Sequence, residues 1–497
     1  MKKGICVFLA FLMIFSLFGC ASEEPEIIEN EAVFGEISSE SSSFEEYSET
    51  EKAESENSSS SGSSEVSSEP ESSSSFSSEK PEESSSSSSS SSESESSSES
   101  SSVSSSESSS SEESSESSSS EKEEPIQNTY VPSGETRAVW ISYLEYQSVL
   151  QGKTEKQFTN NIKAMFKNLA SDGFNTVFVH VRSHSDAMYE SDIFPWSVYC
   201  TGTEGNNPGF DPLEIMVSEA HSSGLKIEAW INPYRVKGNS NTDKIAKSSP
   251  AYKWLGTGKV IVLDNGIFYN PADEEVVELI VSGVEEIVRN YDVDGIHFDD
   301  YFYPTTAESF DKTYYNDYKA GGGKSSLAEW RRQNVNILIK NVYSAIKAID
   351  GSCRFGISPG GNTDRNYNSL YCDVYTWVTS KGYVDYICPQ LYYGFNNRDC
   401  PYLDVLSEFN DMITRSEVEL IIGLAAYKAG AEDTYAGENG KKEWINNNDI
   451  LARQIIAARN ESRYSGFAMY RYDSLYNPAS GVKKAVAAEI ENLFDIL

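Results

Sequence analysis

The chain has 497 residues and a formal net charge of −37, from 77 Asp and Glu against 40 Lys and Arg, so it lacks the basic footprint that a nucleic-acid partner needs. The acid is not evenly spread. Residues 21–128 hold 29 Glu, no Asp and three Lys, a net −26, and residues 129–497 carry only −13, so the extreme acidity does not belong to the part able to fold.

Taken in chain order, the first element is a targeting segment. Lys2 and Lys3 precede an apolar run over residues 4–18, too short to span a bilayer, which predicts a signal peptide over 1–20. Its end, Leu17-Phe18-Gly19-Cys20, resembles the lipobox of bacterial lipoproteins, with Phe18 in place of the usual small or branched residue. The resemblance implies that Cys20 is lipidated and that the protein is anchored to the outer face of the cell membrane. An ordinary secretory signal is the alternative, and no Ala-x-Ala site supports it. Residues 21–128 are almost entirely Ser and Glu. Too little apolar surface is present to offset chain entropy, which predicts a disordered tether. As a coil it spans roughly 55–60 Å on average, enough to reach into a cell wall.

From Glu135 onward, short apolar runs alternate eight times with amphipathic segments. Strands are predicted over residues 137–142, 175–181, 226–232, 295–299, 354–358, 385–391, 419–426 and 466–470. Helices are predicted near 155–172, 211–223, 272–290, 326–349, 364–381, 404–415, 446–461 and 479–494. Asp211-Pro212 and Asp273-Glu274-Glu275 place caps, a first-turn proline and acids where helix N-termini want them. Eight such units predict an α/β fold, a closed (β/α)8 TIM barrel over residues 129–497, with its longest loops at 233–270 and 301–325. Five cysteines fall in this region, Cys200, Cys353, Cys372, Cys388 and Cys400. Without a C-x-x-C pair they give no zinc signature and read as core residues, with Cys388–Cys400 or Cys353–Cys372 bridges left open.

Chemistry in such barrels collects where strands end, so the polar residues at those positions are the candidates. The second strand offers His180 and Arg182, followed by His184 and Asp186; the third offers Trp230, Asn232, Tyr234 and Arg235. The fourth gives His297, Asp299, Asp300 and Tyr301, and the sixth Gln390, Tyr392 and Tyr393. Strand alternation turns Ile296 and Phe298 outward and aims His297, Asp299 and Tyr301 at the barrel axis. A carboxylate there suits sugar cleavage, whose oxocarbenium-like state needs an anion and usually a second carboxyl to protonate the leaving oxygen. The competing reading is a rigid ion pair of Asp299 with Arg182 or Arg235. Asp300 and Asp186 lead as acid partner, ahead of Glu145 and Asp473.

His180, Arg182, His184 and His297 are expected to bind sugar hydroxyls; their spacing is no zinc signature, so no metal is expected, and no motif suggests a cofactor. Trp196 and the tyrosines 301, 303, 314, 315 and 318 are expected as stacking platforms, beside a glycine run at 321–323 able to move as a lid.

The strings Gly173-Phe174-Asn175-Thr176-Val177, Ala229-Trp230-Ile231-Asn232-Pro233-Tyr234-Arg235, Asp294-Gly295-Ile296-His297-Phe298-Asp299-Asp300-Tyr301 and Pro389-Gln390-Leu391-Tyr392 resemble the glycosyl-hydrolase-like ten family of exported bacterial barrel proteins. The resemblance spans residues 135–495 and implies hydrolysis of a β-1,4-linked amino-sugar polymer, peptide-free cell-wall glycan among the candidates. Tyr392 also stands where chitinases place a tyrosine that holds a 2-acetamido group. Such a group can itself attack the anomeric carbon, which leaves a two-carboxylate and a substrate-assisted mechanism both open. A non-catalytic glycan-binding lipoprotein and a hydrolase of a non-wall polysaccharide are the rival readings.

Overall fold

The structure is a computed structural model and describes residues 131–497. The expected signal peptide, Cys20 and tether lie outside the described residues. Eleven strands follow in chain order: β1 (Thr136–Ile141), β2 (Thr176–Arg182), β3 (Lys226–Ile231), β4 (Arg235–Lys237), β5 (Val260–Leu263), β6 (Gly266–Tyr269), β7 (Gly295–Phe298), β8 (Arg354–Ile357), β9 (Tyr386–Ile387), β10 (Glu419–Ala425) and β11 (Tyr464–Tyr470). Eight of them close a parallel barrel in the order β1-β11-β10-β9-β8-β7-β3-β2, so the predicted fold class is observed.

The period of two along each strand sorts side chains into two layers. Ala138, Trp140, Phe178, Trp230, Tyr386, Cys388, Ile421 and Ala468 fill the barrel interior. Val139, Ile227, Ile296, Phe298, Phe355 and Leu424 face outward into a larger core beneath the helices. The helix Glu274–Asn290 buries Val276, Ile280, Val284 and Ile287 at helical spacing, and each such side chain contributes about 1.5–3 kcal/mol. Asp273 caps it by accepting from Val276 N at 3.1 Å, at the position the sequence marks.

Three departures from expectation have local causes. Strand β9 is two residues long rather than seven, because Pro389 brings no N–H to a ladder and Leu391 N turns back onto Pro389 O at 2.9 Å. The helix predicted over 364–381 is two helices, Thr363–Asn368 and Val374–Thr379, separated at Tyr371, whose φ is 56°. The loop after β3 folds into its own antiparallel sheet, β4-β6-β5, over the mouth side of β3. All five described cysteines are buried free thiols, so neither bridge forms.

Candidate active site

Strand β7 ends at Phe298, and this ending shapes the site. With the chain released from the pleat, the neighbouring carboxyls of Asp299 and Asp300 converge instead of pointing to opposite faces, and they hydrogen-bond to one another. Asp300 N donates to Asp299 Oδ1 at 2.9 Å, and Gln390 Nε2 reaches the same oxygen at 3.3 Å while also donating to Ser358 O at 3.1 Å. Asp299 is 7% exposed. Burial pushes its carboxyl well above the ordinary range, and the charge of Asp300 pushes it further. Burial also raises Asp300, but the hydrogen bond from Asp299 and the Arg365 guanidinium pull against that rise. Both carboxyls are therefore raised, Asp299 the more strongly, so Asp299 is the partner that keeps its proton to higher pH.

A ring of aromatic and cationic groups surrounds the pair. Arg235 lies 5.0 Å over the Tyr301 ring, and its charge opposes the rise at Asp299. Tyr392 meets Tyr470 at 5.8 Å and Tyr427 at 5.9 Å, while Tyr143 packs against His180 and His184 at 5.5 and 5.6 Å. Burial raises the phenols of Tyr301, Tyr392 and Tyr470, so all three remain protonated donors. His180 stacks on Trp230 at 3.5 Å with its Nε2 3.2 Å from Asn232 Oδ1, and Asn232 Nδ2 donates to Ser183 O at 3.2 Å. Burial and the Arg235 charge hold His180 and His184 well below the ordinary imidazole range, so both are neutral hydrogen-bonding groups.

Several expected residues are not at this mouth. Arg182 is 2% exposed and lies outside the barrel, over Phe194 at 4.3 Å and against Gly283, because a register shift between His180 and Arg182 pairs Arg182 with the outward-facing Ile231. Its expected role in holding sugar is therefore corrected. His297 faces the axis, yet it is sealed a layer below: Trp140 Nε1 donates to its Nε2 at 3.1 Å, and its Nδ1 lies 2.7 Å from Tyr386 Oη. Burial lowers it to about 3, and it is a neutral link in the core rather than a sugar contact. Tyr234 is fully buried in the outer core against Phe302, and Tyr393 packs beside Cys400 and Gly361.

Asp186 accepts from Val198 N at 3.3 Å and orders the loop after β2; burial and Glu204 raise it to about 6. Glu145 is held by Ser142 and Arg471, and Asp473 lies 3.5 Å from the same guanidinium. Of the four acids considered as partner to Asp299, only Asp300 touches it among the described contacts. In the tyrosine-rich loop Tyr315 and Tyr318 pack on Trp330, and the Tyr318 ring occupies the space where a Gly323 side chain would stand. Tyr143, Tyr427 and Tyr470 stood at strand ends in the sequence without being singled out, and Arg365 carried no local signal.

A family model described as "Glycosyl hydrolase-like 10" matches residues 135–440. The chain is 34% identical over 385 residues to glycosyl hydrolase YngK of Bacillus subtilis (strain 168), covering 72% of each protein. It is 36% identical over 339 residues to glycosyl hydrolase DigH of Escherichia coli (strain K12), covering 62% of this chain and 74% of that protein. The solved glycoside hydrolase domain of PgaB (BpsB) from Bordetella bronchiseptica aligns with TM-score 0.49 at 13% identity, over 73% of this chain and 98% of that one.

Proposed function

The chain belongs to the glycosyl hydrolase-like 10 family, and from that premise we propose that it is a glycosidase that cleaves an N-acetylated amino-sugar polymer of the bacterial cell wall. The observation that carries this reading is the Asp299–Asp300 pair, two carboxyls in contact just past the end of β7 with tyrosines around them. Two-carboxylate mechanisms separate the acids by about 5–5.5 Å or about 6.5–9.5 Å, whereas this pair is in direct hydrogen-bond contact. Contact favours the substrate-assisted route. Asp299 gives its proton to the leaving oxygen as the acetamide oxygen attacks the anomeric carbon and the glycosidic bond breaks. Asp300 accepts the acetamide N–H and stabilises the cyclic cation; Asp299, now ionised, takes a proton from the water that opens the ring.

Anchoring through Cys20, with residues 21–128 as a tether into the wall, is part of the same proposal and rests on the sequence. Asp299→Asn is expected to melt within a few degrees of the parent and to lose release of reducing ends from peptide-free glycan strands. A thiazoline mimic of the cyclised acetamide is expected to inhibit. Parent-level turnover by Asp299→Asn, or a covalent glycosyl adduct on either Asp with a fluorosugar, overturns this mechanism. The low exposure of Asp299 favours one alternative, a glycan-binding protein, which predicts retention of strands without any new reducing ends.

A further inference from the structure

The seam where the barrel's first and last strands meet carries a buried ion pair that the proposed chemistry does not use. Glu145 accepts from Ser142 Oγ at 2.6 Å, Ser142 N at 3.0 Å and Asp473 N at 3.2 Å, and from Arg471 Nη1. The two charged side chains are 1% and 8% exposed. Four donors on one carboxylate, from segments more than 320 residues apart in the chain, bind the β1 end to the β11 end.

Their neighbours in the chain give this clamp its meaning. Tyr143 lies two residues before Glu145, and Tyr470 immediately before Arg471. Tyr143 contacts His180, His184 and Tyr199, the last at 4.8 Å. Tyr470 contacts Trp140 and Trp230 at 6.0 and 6.5 Å, besides Tyr392 and Tyr427. The Tyr143 and Tyr470 phenols are close enough to influence each other, and Tyr470 also feels Asp299.

We propose that Glu145 and Arg471 are positioning residues, a clamp across the β1/β11 seam that fixes Tyr143 and Tyr470 as one wall of the catalytic mouth. Fold stability alone gives little reason for the pair, since apolar residues of similar shape replace a buried ion pair at no net cost in many proteins. What apolar packing does not supply is direction: Arg471 Nη1, placed between Glu145 and Asp473, and the four-donor carboxylate tie the two backbone segments together through oriented hydrogen bonds. The clamp's effect on turnover rests on the glycosidase reading; its effect on the rings does not.

The test is Glu145→Gln, which keeps the shape and loses the charge, made in the full chain labelled with 3-fluorotyrosine. Fluorine resonances assigned through Tyr143→Phe and Tyr470→Phe are expected to shift in Glu145→Gln while most others stay in place. On peptide-free glycan, kcat is expected to fall at least tenfold with KM changed less than threefold, and Arg471→Lys to restore less than half of the activity at equal melting temperature. Glu145→Gln/Tyr470→Phe is expected to lose less than the product of the two single losses, because part of the Glu145→Gln loss runs through the Tyr470 ring. Unmoved resonances, or a double variant whose losses multiply, overturn the clamp. If the unmutated protein releases no reducing ends while the resonances still shift, the glycosidase reading fails and the positioning of the rings stands.

Discussion

Asp299 and Asp300 show how far a single residue's chemistry is set by where its strand stops. Alternation alone sends adjacent side chains to opposite faces, and only the end of β7 at Phe298 lets both carboxyls meet. Because Asp299 must hold its proton and Asp300 must lose its own, activity is expected to follow a bell-shaped pH profile. Its acid limb follows ionisation of Asp300 and its alkaline limb loss of the Asp299 proton, so both limbs lie above the ordinary Asp value of 3.8. Replacing a sugar leaving group by an activated phenol, which needs little protonation, is expected to return at least tenfold of the activity lost in Asp299→Asn but not in Asp300→Asn; initial rates on the two substrates test it. Arg182 is the opposite case, a charged residue that reads as functional and serves packing. A side chain at Gly283 would stand 2.1 Å from Arg182 Nη1 and 2.6 Å from Phe194, so Gly283→Ala is expected to cost about 1–3 kcal/mol in urea unfolding.

Elements explain what residues taken singly do not. The register shift in β2 changes the side on which Arg182 emerges, and a period-two reading of the sequence has no means to see it. The barrel interior carries a second such surprise: Trp140 donates to His297, His297 to Tyr386, and Tyr386 to Glu228 at 2.5 Å, a polar chain crossing from β1 through β7 and β9 to β3. Burial raises Glu228 to about 7, against an ordinary 4.5. A carboxyl raised on folding binds more protons in the native state than in the unfolded one. Its contribution is therefore complete below about pH 4.5 and lost as pH rises through about 7, on the order of 3 kcal/mol in all. Glu228→Gln is expected to remove that slope, so that its stability relative to the parent rises between pH 5 and 8; denaturant titrations at the two pH values measure it. Helices were more legible than loops, because Asp211 and Asp273 cap where the sequence marks them, whereas β4-β6-β5 depends on pairing across a long loop.

For the whole molecule, the charge divides along the sequence: residues 21–128 carry −26 and residues 129–497, which include the barrel, carry −13. Removing residues 21–128 is expected to leave kcat/KM on soluble glycan oligomers within twofold of the parent while reducing release from intact wall. Cys20→Ala is expected to abolish the incorporation of labelled fatty acid that the proposed anchoring predicts for the parent. Lipid labelling and the two substrates together separate anchoring from catalysis, and loss of activity on the soluble oligomer would overturn the proposal that residues 21–128 serve only as a tether.

The sequence by itself determined the eight alternations, hence the closed barrel, and the placing of Asp299 just past the fourth barrel strand, because period, caps and strand ends are local properties of the chain. Only the tertiary structure decided which polar residues meet there. It brought Asp300, Gln390, Arg235 and Tyr392 around Asp299, turned Arg182 outward and sealed His297 below. Those outcomes depend on a bulge, a truncated strand and the closing of the first strand on the last, each fixed by partners far apart in the chain.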